Sequence, residues 1–172
     1  MVAKLQPVCL YSVDFPKGWH ITFTPNHWAN EDTMVAYIYN ILLPYVTSTR
    51  KNLQLFDTFP ALVLFDHFKA QLTERVLDIL DFHNILVIDV PANCTDRLQP
   101  LDVSINKSIK HYLKESYANE VHKQQGKPVD MKLSVSKPLG AQWFIHAFQH
   151  VQENKLIITN GFDEAGITDR LN

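Results

Sequence analysis

Residues 61–89 read ALVLFDHFKAQLTERVLDILDFHNILVID, and the succession of residue types along them decides the architecture. Ala61-Leu62-Val63-Leu64-Phe65 is a continuous apolar run closed by Asp66. A run of that kind suits a strand buried on both faces, in a sheet with helices on each side. Leu72 to Phe82 predicts a helix opened by Thr73-Glu74, after which Ile85-Leu86-Val87-Ile88 repeats the buried-strand pattern and stops at Pro91. Strand, helix, strand at this spacing is a parallel crossover unit.

Upstream, Lys4 to Val13 and His20 to Thr24 are rich in β-branched and aromatic residues and predict two strands, with Pro16 and Gly18 in a turn between them. Asn26 or Asn30 then precedes Glu31 and Asp32, a helix start with acids against the positive end of the dipole. Met34, Tyr37, Ile38, Ile41 and Leu42 follow at helical spacing; Pro44 is expected to end that helix and Ser48 to Asn52 to form a loop. Downstream, a helix is expected from Pro100–Asp102 past Tyr117, with Ile105, Ile109, Leu113 and Tyr117 recurring every fourth position. Gly126 and Pro128 open a polar linker, Trp143, Ala147, Phe148 and Val151 mark a last amphipathic helix, and Asn160-Gly161 predicts a turn. The expected fold is α/β, a mixed sheet flanked by helices, with an antiparallel pair first and parallel crossovers after it. Its divisions are a core over 1–125, a linker over 126–136 and a helical tail of the same domain over 137–172. Trp19, Trp28 and Trp143 are expected to anchor the core or its edge.

The composition excludes several classes. With 172 residues, 46% hydrophobic and 20% charged, the chain fits one globular domain, and its net charge of -2 carries no message about partners. Cys9 and Cys94 lie far apart with no Cys-x-x-Cys pair, which argues against a zinc ribbon or a disulfide framework. His146 and His150 stand four apart on an expected helix without a third ligand nearby. No 18-residue apolar stretch or signal peptide is present, so no membrane partner is expected.

The chemistry concentrates on two aspartates. Asp66 ends one buried strand, and Asp102 follows the next after a short loop, near a helix start. At the carboxyl edge of an α/β sheet such groups converge, and two close carboxylates call for a cation between them. Mg²⁺ or Mn²⁺, which favour oxygen ligands, would serve and would suit phosphodiester chemistry.

These segments also resemble a known family. Ala61-Leu-Val-Leu-Phe-Asp66-His-Phe-Lys-Ala-Gln71, then Val90-Pro-Ala-Asn-Cys-Thr95-Asp-Arg-Leu-Gln-Pro-Leu-Asp102, is similar to the DDE superfamily endonuclease domain of pogo and Tigger-like transposases and of the jerky-like and centromere-binding proteins derived from them. Asp66 matches that family's second acid. Asp102 matches its third, in the box Gln99-Pro100-Leu101-Asp102 after a loop that ends at Thr95; 36 positions separate the two, from 66 to 102. His27-Trp28-Ala29-Asn30-Glu31 through Leu43-Pro44-Tyr45, Asn106-Lys107 to Tyr112, Trp143, and Gly161-Phe162 with Ala165-Gly166-Ile167 extend the likeness over nearly the whole chain.

The resemblance implies an RNase H-like fold, a nuclear location, DNA as partner, Mg²⁺ or Mn²⁺ as cofactor, and Asp66 and Asp102 as catalytic metal ligands. It also implies a first catalytic aspartate upstream of the segment matched by Leu5-Gln6-Pro7, so the domain is expected to be N-terminally truncated, to hold metal weakly and to be inactive by itself. An open sheet edge and self-association would follow. Lys107, Lys110 and Lys114 share one helical stripe beside His111 and are candidates for phosphate contacts, with His67 next to Asp66 as a further one; a stripe balanced by Glu115 and Glu120 is the competing expectation. Thr95, Gln99 and Pro100 are expected to support the loop and turn that aim Asp102. Two other functions compete: an active endonuclease completed by upstream sequence, and a structural module that binds protein.

Overall fold

The structure, a computed structural model, describes residues 13–25, 28–91 and 93–168. The expected strand Lys4–Val13 lies outside these residues except for its last position. The chain divides into two compact units, His20–Asn93 and a second made of the segment up to Trp19 with Cys94 onward.

The first unit opens with α1 (Glu31–Tyr37). Asn30 caps it in a capping box: its Oδ1 accepts from the Thr33 amide at 3.0 Å, and the Thr33 hydroxyl accepts from the Asn30 amide at 2.8 Å. A π turn (Ile38–Leu42) then leads directly into α2 (Leu43–Asn52). Pro44 therefore does not end the helix, and 48–52 is helical rather than a loop. Pro44 sits in the first turn of α2, where a missing N–H costs nothing, and the widened turn upstream, with the Leu43 amide bonded to the Ile38 carbonyl, accommodates it.

β1 (Ala61–Phe65) and β2 (Ile85–Asp89) pair in parallel, joined by a short 3₁₀ turn and α3 (Glu74–Phe82). The register runs from Ala61 opposite Ile85 to Phe65 opposite Asp89. Val76 and Leu80 of α3 are buried with Ile38, Val46, Phe65 and Ile85 in the core of this unit. Arg75, also on α3, bridges to Asp32 at 3.0 Å and Glu31 at 3.3 Å on α1. Hydrogen bonds to Asp32 and then Glu31 hold its guanidinium above the ordinary pKa.

Two sheet expectations are corrected. Among the described residues helices cover one face only: Leu62, Leu86 and Ile88 on the other are 56%, 57% and 45% exposed. Among the described residues the sheet is two parallel strands, with no antiparallel pair. His20 to Thr24 forms no strand, because an extended segment needs a ladder partner to become one. Thr24 instead donates from its hydroxyl to the Trp28 carbonyl at 2.8 Å, and Trp28, 72% exposed, is not a core anchor.

The second unit is helical where described. A short α4 (Thr95–Leu98) and a π turn (Leu101–Ile105) lead into α5 (Asn106–Lys123), followed by α6 (Leu133–Glu153) and α7 (Leu156–Glu164). α6 begins within the polar stretch expected as a linker, five positions before Pro138. Asn160-Gly161 lies inside α7 instead of forming a turn. Trp19 packs edge-on against Phe148 and Phe144, at 5.0 and 6.1 Å between ring centroids, and Tyr117 meets Trp143 at 6.3 Å.

Arg50 ties α2 to the turn that starts β2. It is buried, and its Nη2 donates to the carbonyls of His83 at 3.1 Å and Asn84 at 3.2 Å. Asn84 is left-handed (φ 54°), and its carbonyl also accepts from the Ala61 amide at 3.0 Å, so one residue joins both strands and the helix. Arg50→Met keeps the apolar stem but loses both charged donors. A loss of about 2 kcal/mol is expected in urea unfolding, with the slope unchanged; a change below about 0.5 kcal/mol would show that the clamp is incidental.

Candidate functional site

The carboxyl edge of the parallel pair carries the first cluster. Asp66 directly follows β1 and is exposed. Next to it His67 adopts a left-handed backbone (φ 61°), which turns its ring toward β2. His67 Nδ1 lies 2.5 Å from Asp89 Oδ2, and the two side chains are 58% and 38% exposed. Asp89 closes β2 as the register partner of Phe65, so it shares an edge with Asp66. Sequence reasoning passed over Asp89, although the signal was there: an acid ends the run Ile85–Ile88 just as Asp66 ends the run before it.

Asp102 belongs to the other unit, in the π turn ahead of α5. It is half-buried, and its Oδ1 accepts from Asn106 Nδ2 at 2.6 Å, one turn on. The Gln99 carbonyl accepts from both the Asp102 and Val103 amides at 3.0 Å, while the Gln99 side chain is buried with Oε1 unpartnered among the described residues. Thr95 is the first residue of α4 and makes no side-chain cap. Pro100 is buried at the start of the π turn, where a residue without an N–H fits.

α7 closes on this turn. Ser104 Oγ donates to the Ile157 carbonyl at 2.7 Å, and a Cβ added at Gly161 would stand 2.7 Å from the Pro100 carbonyl oxygen and 3.2 Å from Ser104 Cβ. Gly161 is glycine because the backbone that aims Asp102 passes directly beneath it, not because a turn forms there.

Lys107, Lys110 and Lys114 are exposed on α5, and no ion pair holds them among the described residues. The acids expected to balance them are engaged elsewhere: Glu115 lies 3.5 Å from His111, and Glu120 meets Lys123 at 3.7 Å and accepts from Gln124 at 3.0 Å. His150 stacks on Tyr112 at 5.7 Å.

The oxygen donors at Asp66 and Asp102 suit a hard divalent cation such as Mg²⁺ or Mn²⁺. Yet the described residues gather no set of three His, Cys, Asp or Glu side chains able to hold a metal ion. Asp66 belongs to the first unit and Asp102 to the second.

The family of DDE superfamily endonucleases matches residues 11–162. The chain belongs to that family, which implies a divalent metal and DNA for the family as a class. Over 59 residues, 34% of this chain, it is 32% identical to a human protein described as "Pogo transposable element with ZNF domain". The match spans 4% of that protein. No solved structure matches the chain. Among the described residues no helix is long and apolar enough to cross a membrane.

The contact at Gly161 is directly testable against a control in the same unit. Gly161→Ala forces backbone apart and is expected to lower stability by about 1–3 kcal/mol. Gly140→Ala, inside α6 with nothing within 4 Å of the new Cβ, should raise it by roughly 0.5–1 kcal/mol. Thermal unfolding of the two variants checks the sign; equal shifts would refute the close approach.

Proposed function

We propose that this chain is a transposase-derived DDE domain that binds duplex DNA in the nucleus along α5 and does not by itself cleave it. One observation carries the binding reading: Lys107, Lys110 and Lys114 line one face of the helix that grows out of the Asp102 turn, without acidic partners among the described residues. Three such cations on one stripe can each meet a phosphate, and each contact releases counterions. His67, whose Nδ1 lies 2.5 Å from Asp89 Oδ2, keeps its Nε2 as a further candidate for a phosphate contact. The inactivity reading is supported by the described residues, which gather no group of three His, Cys, Asp or Glu side chains that could hold a metal ion.

Fluorescence anisotropy with a labelled duplex tests the first clause. Micromolar binding that weakens as salt rises is expected, and replacing all three lysines by alanine should flatten the slope of log K against log salt by about 2.7. Binding that ignores both salt and the triple substitution would refute it. Incubation of supercoiled plasmid with Mg²⁺ or Mn²⁺ tests the second clause: no nicking is expected, and robust nicking abolished by Asp102→Asn would overturn it.

A further inference from the structure

Within the first unit, three pieces of chain frame a groove of about 290 Å³. One wall is α2, from Tyr45 to Arg50, and the connection from α2 to β1 forms the other. Gln54, left-handed at φ 55°, reverses the chain there, and the Leu55 amide donates back to the Arg50 carbonyl at 2.9 Å. The Phe59 amide closes a second turn on the Phe56 carbonyl at 2.9 Å, and Pro60 then leads into β1, whose first two residues complete the frame. The wall side chains are apolar except for Tyr45, Thr49 and Arg50, and none is acidic.

Arg50 sets the chemistry of this groove. Its side chain is more than nine-tenths buried; Nη2 is spent on the carbonyls of His83 and Asn84, and Nε has no hydrogen-bond partner. Neutral carbonyls satisfy some of the N–H groups of a guanidinium but do not cancel its charge. Among the described residues no acid forms an ion pair with it. A cation shielded from water and left without a counter-charge is costly by itself. It also attracts a carboxylate more strongly than an exposed arginine would, because little water screens the pair.

We propose that this groove binds a small apolar monocarboxylate, an acid on an aryl or short alkyl chain. The carboxylate supplies the counter-charge of Arg50, and the apolar part lies against Leu42, Leu53 and Phe59 of the walls. The volume is at the small end of ligand sites, which favours a free acid over a partner's helix or strand. A neutral ligand would leave the guanidinium unmatched, and a dianion such as a phosphate monoester would carry a surplus charge into apolar walls. One negative charge on an apolar body is the chemistry that fits both the cation and its surroundings.

The inference rests on neither the DNA nor the metal reading, and its test leaves Lys107, Lys110 and Lys114 untouched. Titration of the full chain with phenylbutyrate, followed by amide NMR shifts, should give saturable changes centred on residues 42–62 and a submillimolar dissociation constant. Phenylbutyramide, which has the same shape without the charge, should bind about tenfold or more weakly. Arg50→Met should bind acid and amide alike. Leu53→Glu, at an exposed wall position, sets a like charge at the groove and should weaken the acid by about tenfold or more; it carries the test if Arg50→Met does not fold. The inference would be overturned by an absence of saturable shifts, by equal affinity for acid and amide, by shifts centred on other residues, or by full affinity in Leu53→Glu. Binding of the peptide Gly-Gly-Phe through its terminal carboxylate, with none of phenylbutyrate, would likewise overturn the assignment to a free acid.

Discussion

The parallel pairing of β1 with β2 is the constraint on which the first unit depends. Parallel strands cannot be joined by a tight turn, so the chain must travel the length of the pair and back, and α3 is that return path. The return fixes which side chains meet: Val76 and Leu80 come down on the odd-numbered face of β1, where Phe65 and Ile85 complete the core. It also brings the ends of both strands to one edge, so that Asp66 and Asp89 become neighbours although 66 and 89 are far apart in the chain. Arg50 and the left-handed Asn84 secure the opposite end, where helix, turn and strand share one carbonyl.

Two prolines in helical surroundings show how a local rule is met without being broken, whereas Pro138 lies in the interior of α6. Pro44 and Pro100 each adjoin a π turn, Pro44 just after one and Pro100 just before the other. At Pro100 the result bears on chemistry. The widened turn holds Asp102 half-buried, with Asn106 on one carboxylate oxygen, and α7 closes on its backbone through Gly161 and Ser104. A carboxylate held in this way loses little freedom on meeting a cation or a phosphate-bound ion.

Much of the second unit was written in its periodicity. Ile105, Ile109, Leu113 and Tyr117 predicted the helix that is α5, and the apolar spacing around Trp143 predicted part of α6. Gly161 misled, because glycine has two uses, a turn and a close approach, and only the position of the Pro100 carbonyl tells them apart. His20 to Thr24 misled for a related reason: β-branched and aromatic residues permit a strand, but a ladder partner makes one. In the site, Asp66 and Asp102 were legible as motif positions. Asp89 was not singled out, since its meeting with His67 depends on strand register and on a left-handed residue.

By itself, then, the amino-acid order determined the crossover unit of residues 61–89 and the long helices, and it singled out Asp66 and Asp102 as motif positions, because apolar periodicity and short motifs act through neighbours in the chain. Only the tertiary structure decided that, among the described residues, helices cover one sheet face, that Asp89 holds His67, and that Gly161 touches the Asp102 turn. Each of those outcomes is a contact between residues distant in sequence, set by how whole elements pack rather than by the preference of any one residue.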